Sequence, residues 1–139
     1  MPNSDIPLVI IEVMSGPLDG MIAKIKKQTI YIGRLEKFNV CLSCGYKFYD
    51  DKMRCPKCDS SHIRAEKNDV VLKLDRYTSR VHAKIIFEDG RFWLEDMGST
   101  NGTLLVKGDF QEEVVGKKPL SDSDMFKIGH TYLRFKLGN

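Results

Sequence analysis

The sequence predicts an all-β fold, a sandwich of short strands. Its apolar runs are brief and rich in Val, Ile, Phe and Tyr, and turn residues interrupt them every ten residues or so. No stretch has the spacing of a long amphipathic helix. Candidate strands are Leu8–Met14, Met21–Ile25, Thr29–Ile32, Val70–Leu74, Ala83–Glu88, Arg91–Glu95, Thr103–Val106, Glu112–Val115, Met125–Ile128 and Thr131–Leu137. Asp89-Gly90 supplies the positive φ angles of a tight hairpin between two of them. Alternation then puts Ala83, Ile85 and Phe87 on one face and Lys84 and Glu88 on the other. Further breaks fall at Gly16-Pro17, Gly98–Gly102, Gly108-Asp109, Ser121–Ser123 and Gly129.

The 139 residues amount to about one domain at ~100–200 residues each, so one β domain over residues 1–139 is expected. Hydrophobic residues make up 42% and Gly plus Pro are few (11 and 5), which excludes collagen-like and disordered classes. The longest aliphatic run, Leu8-Val9-Ile10-Ile11, is far short of the ~18 apolar residues that cross a bilayer, and Met1–Asp5 has no basic n-region. Neither a membrane span nor a secretion signal is expected, and Met1–Pro7 reads as a loosely held lead-in. A net charge of +3 is too small for a counterion-releasing nucleic-acid clamp.

From about Asn39 to Asn68 the β rhythm lapses into cysteines and polar residues. Only Phe48, Tyr49 and Met53 are bulky and apolar in its middle, too few to fold unaided. Setting it aside leaves roughly 110 residues of regular β pattern, so residues 39–64 read as an insertion into a loop.

Within it, Cys41-x-x-Cys44 and Cys55-x-x-Cys58 place four thiolates on two facing turns, the tetrahedral sulfur cage that Zn2+ prefers. Gly45 and Pro56 suit such turns, where backbone amides point at sulfur. The segment resembles a zinc ribbon, and four protein ligands leave no open position, so one structural zinc ion is expected. Local disulfides, a redox dithiol and a four-thiolate iron site are the competing readings. His62 reads as a loop residue. Lys47, Lys52, Arg54, Lys57 and Arg64 face Asp50, Asp51 and Asp59, a surplus of +2 that a Zn(Cys)4 centre of −2 would cancel. A neutral ribbon makes a poor DNA clamp. Cysteines clustered in this way fit a reducing, cytoplasmic setting.

Three polar motifs sit at strand ends: Gly33-Arg34, Ser79-Arg80-Val81-His82, and Gly98-Ser99-Thr100-Asn101-Gly102-Thr103. A phosphate monoester carries nearly two charges and three acceptors, which suits a guanidinium fork at Arg34 and hydroxyls at Ser79 and Thr100. An Asn side chain can pair with both the amide and the carbonyl of an extended peptide. In this order the motifs resemble the forkhead-associated (FHA) domain, as do Asn68–Leu72 and Met125–Gly129.

The resemblance implies a β-sandwich of about eleven strands that binds phosphothreonine of a partner protein through loops at one end, in Ser/Thr kinase-linked signalling or assembly. Carried over, Arg34 and Ser79 hold phosphate oxygens, Arg80 and Thr100 add phosphate contacts, and Asn101 grips the peptide backbone. His82 braces the loops, and Gly33 and Gly102 permit the backbone turns. Tyr77 falls in the loop where the family selects residues after the phosphothreonine. This sequence departs from the pattern in placing the ribbon between Arg34 and Ser79, which are usually much closer, so the ribbon should border the recognition face.

The alternative is a zinc-ribbon nucleic-acid-binding protein with the β domain as scaffold. Catalysis is not expected: Ser79 with His82 is the one nucleophile–base pair, with no Gly-x-Ser-x-Gly elbow and no orienting carboxylate. Three positions apart at a strand start, their side chains should point to opposite faces. The expected partner is a threonine-phosphorylated protein, with no membrane contact, and the chain itself is expected to be a monomer. His130 and Lys117-Lys118 read as solvated loop positions.

Overall fold

A computed structural model describes residues 6–138; the first five residues of the lead-in lie outside the described ones. Among the described residues fourteen strands follow one another: β1 (Val9–Val13), β2 (Ile22–Ile25), β3 (Thr29–Gly33), β4 (Lys37–Cys41), β5 (Lys47–Phe48), β6 (Ile63–Lys67), β7 (Val70–Val71), β8 (Ala83–Glu88), β9 (Arg91–Asp96), β10 (Thr103–Lys107), β11 (Phe110–Glu113), β12 (Lys117–Leu120), β13 (Met125–Ile128) and β14 (Thr131–Leu137). Among the described residues no helix is long and apolar enough to cross a membrane.

Eleven strands form two sheets, ordered β11-β10-β13-β14-β1-β2 and β12-β9-β8-β3-β7. All neighbours pair antiparallel except β3 and β7, which run parallel. The buried members of each strand turn inward, Val9, Ile11 and Val13 from β1 and Leu133 and Phe135 from β14 meeting Ile30, Ile32, Ala83, Ile85 and Leu94 from the other sheet. Phe92 and Phe135 close the gap edge to face, with ring centroids 5.3 Å apart. The remaining three strands form a separate sheet, β5-β4-β6, that includes the cysteine segment.

Most strand expectations hold within a residue or two. The Asp89-Gly90 hairpin has φ of 54° and 76° at its two corners, with Glu88 opposite Arg91. Four differences have local causes. Val70–Leu74 keeps only Val70–Val71 as strand, because the chain turns where Asp75 N–H donates to Leu72 O (3.1 Å). β11 begins at Phe110, straight after the Gly108-Asp109 turn, and ends before the exposed Val115.

Lys117–Leu120, whose lysines read as loop, is an edge strand on β9. Pro119 lies opposite Trp93 there, and an edge is where a strand tolerates a residue without an N–H. Lys37–Cys41 and Ile63–Lys67 pair over five residues although neither reads as a strand in the sequence. Their apolar content is thin, and Phe38, buried and edge-on to Tyr31 at 5.3 Å, anchors this sheet to the sandwich.

Candidate functional site

The three polar motifs converge at one end of the sandwich. β3 ends at Gly33, and the N–H of the next residue, Arg34, donates to Ser79 O while its Nε donates to Thr78 O, both at 3.0 Å. Gly33 is not among the glycines of positive φ. Its need for glycine is close approach: a Cβ there would lie 2.7 Å from Asn68 Nδ2 and closer still to Arg80 O. Gly102 takes positive φ (81°).

Ser79 Oγ accepts the N–H of Thr100 (3.1 Å), and Asn101 Nδ2 donates to Tyr77 O (2.8 Å). The two loops are thereby stitched together. Thr100, Asn101 and Arg80 are exposed, and Arg34 and Ser79 are half-buried. These bonds leave the terminal nitrogens of Arg34, the hydroxyl proton of Ser79 and the carbonyl of Asn101 available to a ligand. Arg34, Ser79, Arg80 and Thr100 line one concavity of about 350 Å³.

His82 is fully buried beneath them. Its Nδ1 accepts the Ser79 N–H (2.9 Å), so Nε2 carries the ring proton and donates to Gly102 O (2.8 Å). Burial pushes its pKa below the ordinary 6.5, against the pull of the Gly102 carbonyl and Asp96. Both ring nitrogens are engaged by backbone, and neither is free to take a proton from Ser79 Oγ.

Two carboxylates that sequence reading missed hold the loops. Asp96 accepts from the N–H groups of Gly98 and Ser99 and from the hydroxyls of Ser99 and Thr103. Ser99 Oγ in turn accepts the Gly102 N–H (2.9 Å). Buried Asp75 accepts from Tyr77 N–H, His130 N–H and the Thr131 hydroxyl. Burial opposes ionisation of both, but these hydrogen bonds outweigh it and hold both below the ordinary 3.8. His130 is more than a solvated loop residue, since its ring stacks on Tyr77 with centroids 3.7 Å apart. Asn68, whose role the sequence did not reveal, is buried between Leu35 O and Arg80 O and donates to both. An Asp with Ser three positions on was the one readable signal, at Asp96-x-x-Ser99.

The cysteine segment forms two matching turns. Gly45 N–H donates to Cys41 O (2.8 Å) and Asp59 N–H to Cys55 O (2.9 Å). Gly45 and Asp59 occupy equivalent places after each pair, with φ of 79° and 65°. The four Sγ atoms lie within 4.8 Å of one another, and His62 is outside their cluster. Cys41–Cys58 and Cys44–Cys55 stand at 3.5 and 3.6 Å, close to the ~3.8 Å edge of a tetrahedron with metal–sulfur bonds of about 2.3 Å. The amides of Cys44, Lys57 and Cys58 point at sulfur. Burial resists ionisation of Cys41, yet amides from Cys44 and Ser43 pull its thiol down to about 6. The Ser60 amide favours the thiolate of Cys58, but the neighbouring sulfurs push it up to about 12. The donor set fits one metal ion.

The FHA domain family model matches residues 64–129, which carry Ser79, His82 and Asn101. None of the curated proteins matches the chain. A solved structure from work on phosphothreonine-dependent FHA domain interactions is 20% identical, covering 95% of this chain and 98% of that one, with a TM-score of 0.59. Mycobacterium tuberculosis EmbR in complex with a low-affinity phosphopeptide is 19% identical over 95% of this chain and 25% of that one, TM-score 0.61. The FHA domain of Chlamydia trachomatis CT664 is 19% identical over 93% and 96%, TM-score 0.58. The sandwich of this chain is an FHA-type fold, and the stretch that the FHA domain family model matches bears the Ser79 and Asn101 loops.

Proposed function

We propose that the concavity bounded by Arg34, Ser79, Arg80 and Thr100 binds phosphothreonine in a partner protein, with Asn101 holding the peptide backbone. The chain then serves as a non-catalytic recognition module in Ser/Thr kinase-linked signalling or assembly. In the same reading, residues 39–64 are an inserted ribbon whose four cysteines hold one structural zinc ion. The observation that carries it is the junction at Ser79, whose carbonyl takes the Arg34 N–H and whose Oγ takes the Thr100 N–H. That junction sets a guanidinium and two hydroxyls around one hollow. Charge-assisted bonds contribute about 1.5–3 kcal/mol each, so three or four separate a phosphorylated peptide from its unmodified form. The solved relatives support the ligand class, one by phosphothreonine-dependent interactions and one by a bound phosphopeptide.

The test is titration with a phosphothreonine peptide library, repeated with Arg34→Ala. Binding that needs the phosphate and is lost in a folded Arg34→Ala variant supports the reading. Binding indifferent to the phosphate, or stronger binding to duplex DNA, overturns it.

A further inference from the structure

The short strand β5 and the residue that follows it place two ribbon residues in the proposed phosphate site. Lys47 and Tyr49 line the same concavity as Arg34, Ser79, Arg80 and Thr100. Lys47 sits opposite Val40 in the β4–β5 pair and reaches across 50 positions of sequence to donate from Nζ to Met97 O (2.8 Å). That bond uses one of its three protons and leaves two for a ligand. Its side chain is half-buried, and burial draws its pKa below the usual range, with Asp96 pulling the other way and Lys84 adding to the fall. A cation desolvated in this manner gains from an incoming dianion. The Tyr49 ring lies 4.9 Å from the Arg80 guanidinium carbon, a cation–π contact between two residues that line the same hollow.

Beyond this shared wall the surface opens into a second hollow of about 670 Å³, running over the ribbon between Tyr46, Lys52 and Pro56. Arg34, Lys47, Lys52 and Arg80 border it against a single carboxylate, Asp50. A phosphothreonine dianion neutralises about two of those charges and leaves a cationic remainder beside the peptide's path.

We propose that the ribbon is one wall of the recognition site: Lys47 is a phosphate-binding residue, and the Tyr46–Lys52–Pro56 hollow receives an acidic side chain flanking the phosphothreonine in the same peptide. This rests on the phosphothreonine reading above. The anion that fills the hollow is a carboxylate or a second phosphate, and the two share the chemistry that recognises them.

The experiment titrates the full metal-loaded chain with phosphothreonine peptides carrying Ala, Glu or phosphoserine at each of three positions on either side. The native protein, Lys47→Gln, Lys47→Arg, Lys52→Gln and Arg34→Ala are compared. Loss of one charge-assisted bond should weaken phosphopeptide binding by about 10-fold or more in Lys47→Gln, with partial recovery in Lys47→Arg. At one flank Glu should tighten native binding, and Lys52→Gln should lose that preference; phosphoserine exceeding Glu there would name a second phosphate as the natural occupant. Native-like affinity in Lys47→Gln, or equal affinity for Ala and Glu at every position, overturns the proposal. Amide shifts of Lys47 and Tyr49 on adding peptide to the native chain give a second reading independent of variant folding, and their failure to move also overturns it. Should Arg34→Ala lose binding while Lys47→Gln keeps it, the ribbon's part alone fails; should the native chain ignore the phosphate, the parent reading fails with it.

Discussion

Ser79 and His82 meet through the backbone: the Ser79 N–H donates to His82 Nδ1 at 2.9 Å. This fixes the tautomer of a buried imidazole and sends its other nitrogen to the Gly102 carbonyl, so one ring spans the two loops that carry the proposed phosphate contacts.

A protonated His82 would lose its Nδ1 acceptor, and its folded-state pKa is depressed below 6.5. The unfolded chain therefore binds a proton that the folded chain refuses, and stability present above about pH 6.5 declines as pH falls toward the folded value. Denaturant melts at pH 7.5 and pH 5 should show that decline, and the ring resonances of His82 should titrate below the ordinary 6.5. A His82 that titrates at its ordinary value would contradict the buried two-ended bond.

Replacing His82 by Ala orphans the Ser79 N–H and the Gly102 carbonyl, a cost of about 1–3 kcal/mol for each buried group left unpaired. The loss should appear in denaturant unfolding together with weaker phosphopeptide binding. Full stability with intact binding would show that the loops need no brace.

Gly33→Ala and Gly98→Ala separate crowding from backbone strain. A Cβ at Gly33 meets Asn68 and the Arg80 carbonyl, whereas at Gly98 it meets open space at φ 76°. Overpacking costs typically about 1–3 kcal/mol and moves backbone, while a left-handed Ala costs of order 1 kcal/mol. Thermal melts should rank Gly33→Ala below Gly98→Ala, and the former should also displace Arg34 and weaken phosphopeptide binding.

Metal content tests the cysteine cage. The purified chain should carry one zinc ion per molecule, and a strong chelator should release it with exposure of four titratable thiols. With the cage open, β5 should lose its hold on Lys47 while the sandwich core, which draws on no ribbon residue, keeps its cooperative melt. Two disulfides and no metal would contradict the cage.

The sandwich was legible in the sequence because its inward faces alternate strictly, as in Val9-Ile10-Ile11-Glu12-Val13 with burial at every second residue. The loop motifs were legible because Arg34, Ser79 and Asn101 are polar residues at strand ends. The strands Lys37–Cys41 and Ile63–Lys67 of the third sheet were not, since Lys37, Asn39, Arg64 and Glu66 mask what little apolar pattern they have. The supporting roles of Lys47, Asn68 and Asp75 were not legible because they depend on partners far along the chain, Lys47 with Met97 and Asp75 with Thr131. Contacts at such separations leave no local pattern. The opposite-face expectation for Ser79 and His82 concerned side chains, whereas the bond that forms uses the Ser79 backbone.

The most direct test of the central claim is an amide chemical-shift titration of the native chain with one peptide in its threonine and phosphothreonine forms. The phosphorylated form should move Arg34, Ser79, Arg80, Thr100 and Asn101 to saturation, and the unmodified form should leave them still. Equal responses to both forms, or movement confined to a surface away from these five residues, would contradict it.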